Sequence, residues 1–204
     1  MWNGPTFLDV PDALDVWMQQ KMNQTVILWK KLLDSQSHGD ITGYEVKWEK
    51  TDEKNHLNRT FLTPDIYNHT LSLDTTQQHV VTVTAKNKYG RSPLSTIIIP
   101  AMGPGGTEVK TFSIIGSNRN LDLSWPQSLT ASCGYIVVWS PAVGFGPVEW
   151  LKLPPNRSTV RISSEHLTEG LRYLLLIYAC TKGAPVLLEK REGYIAETRE
   201  VTFL

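Results

Sequence analysis

One pattern of strand-like segments occurs twice in this chain of 204 residues, and the repeat limits the possible folds more than any other feature. A short apolar stretch ends at Trp29, and a similar one ends at Trp125, 96 positions later. Residues 43–48 and 134–139 both place Tyr, Val and Trp at alternate positions, at an offset of 91. Because alternate residues of a strand share one face, each segment predicts a strand with one face buried.

A third correspondence lies further along the chain. Leu73 and His79 match Leu167 and Tyr173 at an offset of 94. Three matched strands at offsets of 91 to 96 favour a duplicated module over one fold of 204 residues. The length allows two modules of about 100 residues, which is the usual size of an immunoglobulin-like sandwich.

Apolar residues alternate with period two in most of the chain, so we predict an all-β protein with two seven-stranded sandwiches. A helical turn or two is compatible only with residues 11–20. In the first module we predict strands at 13–18, 25–30, 42–50, 57–62, 68–73, 79–87 and 94–99. In the second module we predict strands at 108–114, 120–125, 134–140, 148–153, 159–163, 172–181 and 188–198.

The domain boundary is expected in residues 100–106, which contain two prolines and three glycines. Such a segment cannot sustain a strand ladder. We therefore predict one module at 1–102 and a second at 103–204. The expected hinge residues are Pro100, Met102, Gly103 and Pro104.

The bulk composition argues against several classes of function. Formal net charge is zero, with 20 basic and 20 acidic residues, so no nucleic-acid partner is expected. The apolar runs are far shorter than the roughly 20 residues of a membrane span. Because motifs for phosphate, dinucleotide or zinc binding and the serine-hydrolase elbow are missing, we expect no enzyme activity, cofactor, metal or small-molecule substrate.

Four Asn-x-Ser/Thr sequons favour a secreted or cell-surface location. Chance produces about one such match per hundred or two residues at ordinary usage of these amino acids. The predicted glycosylation sites are Asn23, Asn58, Asn68 and Asn156.

The assembled strands, with residues 87–93, resemble a fibronectin type III module. Residues 87–93 read Asn-Lys-Tyr-Gly-Arg-Ser-Pro, similar to the family signature in the turn between the last two strands. Further strings at 14–17, 97–101 and 149–154 resemble the membrane-proximal modules of tall class I cytokine receptors of the interleukin-6 family. The Trp-Ser-x-Trp-Ser mark of the cytokine-binding region is missing, so the resemblance is to spacer modules.

This resemblance implies a mechanical function outside the cell. Such modules hold the transmembrane helix of a single-pass plasma-membrane receptor at a set position, while other domains bind a helical cytokine. The implied partner is a second receptor chain of an interleukin-6 family complex. Two alternatives remain open: a cell-adhesion or matrix protein built of fibronectin modules, and the ectodomain of a receptor enzyme.

The repeat also predicts which side chains form the two cores, and Tyr173 is expected to form a tyrosine corner with backbone near Leu167. His79 replaces this tyrosine in the first module, so either its imidazole mimics the hydroxyl or that module lacks the corner and is less stable. The predicted core residues are Trp29, Tyr44, Leu73, His79, Trp125, Tyr135, Leu167 and Tyr173.

Two cysteines, Cys133 and Cys180, lie at neighbouring ends of predicted antiparallel strands. A disulfide between them is plausible, but the alternation places Cys133 on the core side and Cys180 on the other. A bridge would therefore require a bulge or loop conformation at Cys133. Both alternatives, a bridge and two free thiols, remain open.

Overall fold

Alternating apolar residues form strands in both halves of the chain, as the repeat predicts. The computed structural model describes residues 9–21, 24–52, 56–103, 108–144, 146–163 and 165–196. The chain divides into two units, Met1–Pro104 and Gly105–Leu204, which we call module 1 and module 2.

Module 1 contains two antiparallel sheets packed as a sandwich. One sheet has the strand order β1-β2-β5, and the other has β4-β3-β6 followed by β7 and β8, which both pair with β6. The elements are β1 Val16–Lys21, β2 Gln24–Trp29, α1 Asp34–Ser37, β3 Ile41–Lys50, β4 Asn58–Leu62, β5 Asn68–Leu71, β6 His79–Asn87, β7 Gly90–Arg91 and β8 Ser95–Ile99.

Module 2 pairs a two-stranded sheet, β10-β13, with a five-stranded sheet of order β12-β11-β14-β15-β9. The elements are β9 Thr111–Gly116, β10 Asn120–Ser124, β11 Tyr135–Pro141, β12 Glu149–Leu153, β13 Thr159–Ser163, β14 Tyr173–Ala179 and β15 Val186–Ile195. The first strands of the two modules differ in their pairing. In module 1 that strand, β1, is antiparallel to β2, whereas in module 2 it is β9, which is parallel to β15.

A glycine permits the close approach of β9 to β15. A Cβ atom on Gly193 would meet the carbonyl oxygen of Ile114, which is its partner in the parallel register. Any side chain at this position would push the two strands apart, so Gly193 is required by the pairing.

The two cores contain the same aromatic pair in equivalent places. The rings of Trp29 and Tyr44 lie 5.3 Å apart between centroids, and those of Trp125 and Tyr135 lie 5.4 Å apart. All four side chains are buried. The first pair is tilted and the second is edge-to-face. Such aromatic pairs add to the hydrophobic stabilisation of a core, and their equivalence supports the duplication inferred from the sequence.

Two expectations need correction. The helical turn considered for residues 11–20 is wrong, because β1 occupies Val16–Lys21 and pairs with β2. Leu73 is only partly buried: β5 ends at Leu71, which is 2% exposed and takes the core position. The strand predicted at 94–99 is confirmed as β8, and an additional two-residue strand, β7, lies before Pro93, whose nitrogen cannot donate to a strand ladder.

Candidate interaction and stabilising sites

The turn motif at 87–93 is organised by the side chain of Asn87, which is 1% exposed. Its Oδ1 accepts hydrogen bonds from the backbone N–H groups of Tyr89 at 2.9 Å and Gly90 at 3.1 Å. Its Nδ2 donates to the carbonyl oxygens of Asp9 at 2.8 Å, Ser37 at 3.1 Å and His38 at 3.3 Å. One amide thus joins three loops at one end of module 1.

Hydrogen bonds of Ser92 substitute for part of the strand pairing next to Pro93. The Ser92 hydroxyl oxygen accepts a bond from the Ala85 amide at 3.0 Å, while the Ser92 amide donates to the Ala85 carbonyl oxygen at 2.8 Å. The Ser-Pro pair of the turn motif therefore interrupts the strand without leaving these backbone groups unsatisfied.

Tyr173 forms the predicted tyrosine corner. Its hydroxyl oxygen accepts a hydrogen bond of 3.0 Å from the backbone N–H of Thr168, directly after Leu167. In module 1, Nδ1 of His79 lies 3.1 Å from the carbonyl oxygen of Gln77 and must donate the proton, since a carbonyl only accepts. This contact spans two residues instead of five, so His79 does not reproduce the corner.

Cys133 and Cys180 form a disulfide, with 5.1 Å between their Cα atoms. The sequence indicated that a bridge would require a bulge or loop conformation at Cys133. Cys133 does lie in a turn before β11 rather than on the strand. Gly134, at φ 99°, redirects the chain between this turn and the strand. The Cys180 amide donates to the Gly134 carbonyl oxygen at 2.9 Å, which holds the two chain segments side by side.

A buried carboxylate under three cationic side chains marks the outer face of the β4-β3-β6 sheet. Glu45 has a 4% exposed side chain, and its carboxylate oxygens lie 3.5 Å from Nζ of Lys47, 3.8 Å from Arg59 and 3.1 Å from Arg91. Phe61, cross-strand from Glu45, is 64% exposed beside a cavity of about 220 Å³. Three cations against one carboxylate give this face a net positive charge.

A second ion pair joins β10 to β13 in module 2. Arg161 contacts both carboxylate oxygens of its cross-strand partner Asp122, at 2.7 Å and 3.1 Å. The hydrogen bonds from Arg161 hold the pKa of Asp122 below its usual value. Both side chains face solvent, so the pair aligns two short strands more than it stabilises the fold.

The sequence-predicted glycosylation sites within the described residues are all exposed. Asn58 lies on β4, Asn68 on β5, and Asn156 in the turn between β12 and β13, whereas Asn23 lies outside the described residues. Exposure of an acceptor is required for glycan transfer, but occupancy of these sites stays a prediction.

Two hydrogen bonds, one from a side chain and one from the backbone, hold the first part of the predicted hinge against module 1. The Pro100 carbonyl oxygen accepts a bond of 3.4 Å from Nε2 of Gln20, and the Met102 amide donates to the Thr75 carbonyl oxygen at 2.6 Å. Gly103 has open space around it, and Pro104 lies outside the described residues. These bonds assign the chain to module 1 as far as Met102.

The described ranges contain neither a cluster of metal-binding side chains nor a membrane-spanning helix. No group of three or more His, Cys, Asp or Glu side chains there is arranged to hold a metal ion. Helices in the same ranges fall short of the length and apolar character that crossing a bilayer requires.

Comparison with known proteins identifies the modules. Residues 9–100 match the model of the fibronectin type III domain. The chain is 28% identical to the human leukemia inhibitory factor receptor over 190 residues, which are 92% of this chain and 17% of that protein. It is 31% identical to the human oncostatin-M-specific receptor subunit beta over 207 residues, which are 96% of this chain and 21% of that protein.

The chain therefore spans about a fifth of the length of the curated relatives it matches. Among solved structures, chicken CNTN1 FN1-FN3 domains align with 92% of this chain and 68% of that one, at 21% identity and a TM-score of 0.40. The matched family model, the repeated sandwich and the chain-long similarity agree: this is a segment of fibronectin type III domains homologous to the receptors for leukemia inhibitory factor and oncostatin M.

Proposed function

We propose that this chain is a non-catalytic, extracellular spacer that sets the position of the membrane-proximal part of a single-pass cytokine receptor. A helical cytokine would bind domains outside this segment, and a second receptor chain of the interleukin-6 family would complete the complex. The observation that carries the proposal is the similarity to two cytokine receptors over 92% and 96% of the chain.

The internal bonding of each module suits a spacer. A spacer must keep its shape under lateral force. Its function therefore depends more on the free energy that holds its loops and strands together than on any exposed reactive group. The Asn87 side chain ties loops together in module 1, and the Cys133–Cys180 disulfide ties β11 to β14 in module 2. The Asn87 side chain is buried and Cys133 is exposed, and each bond restrains the module that contains it.

The adhesion alternative is less well supported. Integrin recognition by fibronectin modules favours an Arg-Gly-Asp tripeptide in the last hairpin. The corresponding turns here read Asn-Lys-Tyr-Gly-Arg-Ser at 87–92 and Thr-Lys-Gly-Ala-Pro at 181–185. The receptor-enzyme alternative would place catalysis in another part of the protein and is disfavoured by the cytokine-receptor relatives.

A replacement experiment in the full-length receptor tests the spacer. In one variant a Gly/Ser linker of equal residue number replaces the segment, and in the matched control two fibronectin modules of a matrix protein replace it. A flexible linker has no fixed end-to-end distance. We expect both variants to capture cytokine as the native receptor does, while the linker variant loses most receptor phosphorylation and the module variant retains more.

Two results would count against the proposal. Full phosphorylation with the flexible linker would show that the geometry of this segment is irrelevant. Loss of cytokine capture in both variants, at equal surface expression, would show that the segment binds ligand itself.

A further inference from the structure

The predicted glycosylation sites are not spread evenly over the sandwiches. Asn58 lies on β4, one of the two edge strands of its sheet in module 1, and Asn68 lies on β5, one of the two edge strands of the other sheet. In module 2, Asn156 lies in the turn that joins the edge strands β12 and β13. Within the described residues, every sequon thus lies on an edge strand or in a turn between two edge strands. These strands occupy corresponding positions in the two modules.

The two strands that carry the sites of module 1 lie on the same side of the sandwich. Asn58 is the cross-strand partner of Trp48, and Asn68 directly precedes His69. The rings of Trp48 and His69 contact each other across the two sheets, with 6.3 Å between their centroids. Because successive residues of a strand point to opposite faces, Asn68 points away from the face of His69, whereas Asn58 shares the face of Trp48. Glycans on the two asparagines would therefore cover different parts of this one side of the sandwich.

The opposite side of module 1 is closed by the protein itself. There the buried Leu14 amide donates to the Ser95 hydroxyl at 2.8 Å, which links the segment before β1 to β8. Further along, Gln20 of β1 donates to the Pro100 carbonyl oxygen just after β8. These bonds cross between the two sheets and occupy polar groups of their edges.

The β4 edge carries features that promote pairing with another strand. An edge strand exposes unpaired N–H and C=O groups, and proteins protect such edges with charge, proline, bulges or a cover. β4 reads Asn-Arg-Thr-Phe-Leu, with Phe61 64% exposed, and Leu57 just before it is 47% exposed. Apolar side chains on an open edge make pairing with a second chain more favourable.

We propose that N-linked glycans on Asn58 and Asn68 cover the open edge of module 1 and prevent β4 and β5 from pairing with a second copy of the chain. A glycan is bulky and strongly hydrated, so one attached to an edge strand excludes a neighbouring strand. This inference rests on the extracellular placement proposed above, because glycan transfer requires the secretory route.

The test uses the 204-residue chain secreted from mammalian cells, with site occupancy measured by mass spectrometry and self-association by sedimentation velocity. The double variant Asn58→Gln/Asn68→Gln is expected to self-associate at least about tenfold more strongly than the native chain. Thr60→Ala with Thr70→Ala, which removes the sequons but keeps both asparagines, should behave in the same way. Asn156→Gln is the matched control and should remain monomeric.

Adding Phe61→Glu to the double variant places a charge on the edge strand and should restore the monomer. A double variant that stays as monomeric as the native chain would overturn the inference. So would an empty Asn58 and Asn68 in a chain that carries glycan on Asn156. Absence of glycan from all sites of a secreted chain would instead count against the extracellular placement.

Discussion

At the ends of both modules, single polar side chains form hydrogen bonds with backbone groups. Asn87 satisfies five backbone groups from three loops, and Tyr173 satisfies the amide of Thr168. A buried backbone group without a partner costs about 1 to 3 kcal/mol. Both side chains are therefore expected to matter for stability far more than their hydrophobic area suggests.

Replacing Asn87 by Asp tests the loop hub. The change turns an amide that donates to three carbonyl oxygens into a carboxylate oxygen that repels them. We expect module 1 to lose roughly 2 to 4 kcal/mol of unfolding free energy, measured by urea unfolding of the chain. Gln78→Glu, the same chemical change at an exposed site, is the control. Equal denaturation midpoints for the two variants would refute the hub.

Replacing Tyr173 by Phe tests the tyrosine corner. The variant keeps the buried ring but leaves the Thr168 amide without its acceptor, at an expected cost of about 1 to 3 kcal/mol to module 2. Calorimetry should show a lower melting temperature for one of two transitions. Tyr89→Phe, at a 41% exposed ring, should leave both transitions unchanged. A melting curve identical to that of the native chain would count against the corner.

Spacing along the sequence predicted some of these contacts and missed others. The corner follows from Leu167 and Tyr173, which are close in the chain, so local spacing is sufficient. Asn87 reaches Asp9 and Ser37, and such long-range partners leave no signal in a single sequence. The burial of Glu45 was missed for the same reason, because strand alternation gives its face but not the arginines that cover it.

Element positions were more predictable than element pairing. The predicted strand 79–87 coincides with β6, and 159–163 coincides with β13, because alternation and turn residues mark their ends. The pairing of β9 with β15 was not predictable, since strand propensity does not specify which strand a given strand pairs with. The disulfide was left open for a related reason: alternation describes a regular strand, and Cys133 precedes one.

The disulfide should stabilise module 2 specifically. It closes a loop with a sequence separation of 47 residues, for which the chain-entropy estimate is roughly 4 kcal/mol. In Cys133→Ser/Cys180→Ser we expect the module 2 transition to fall while the module 1 transition stays in place. Calorimetry of the native chain with and without reductant provides the comparison. A shift in the module 1 transition alone, or none, would contradict this assignment.

At the scale of the whole chain, the repeat predicts two modules that fold separately. Each has its own aromatic pair and its own sheets, so residues 1–102 and 103–204, expressed as separate proteins, should each unfold cooperatively. Their melting temperatures should lie within a few degrees of the two transitions of the intact chain. A fragment that unfolds without cooperativity would place the boundary elsewhere or show that the modules depend on each other.

The proposed function also belongs to this scale, because a spacer acts through its length and shape and not through one residue. The cationic face around Glu45 is a surface that such a spacer would present to neighbours, whereas the edge carrying Asn58 and Asn68 is proposed to be covered by glycans. Neither is required for cytokine capture under the proposal. Capture is expected to depend on domains beyond this fifth of the relatives' length.

Direct titration of this chain with helical cytokines of the interleukin-6 family tests that expectation most simply. The chain is immobilised beside the complete receptor ectodomain, and surface plasmon resonance records binding to both. The account predicts no measurable binding to the chain at micromolar cytokine and clear binding to the ectodomain. Nanomolar binding to the chain alone would contradict it.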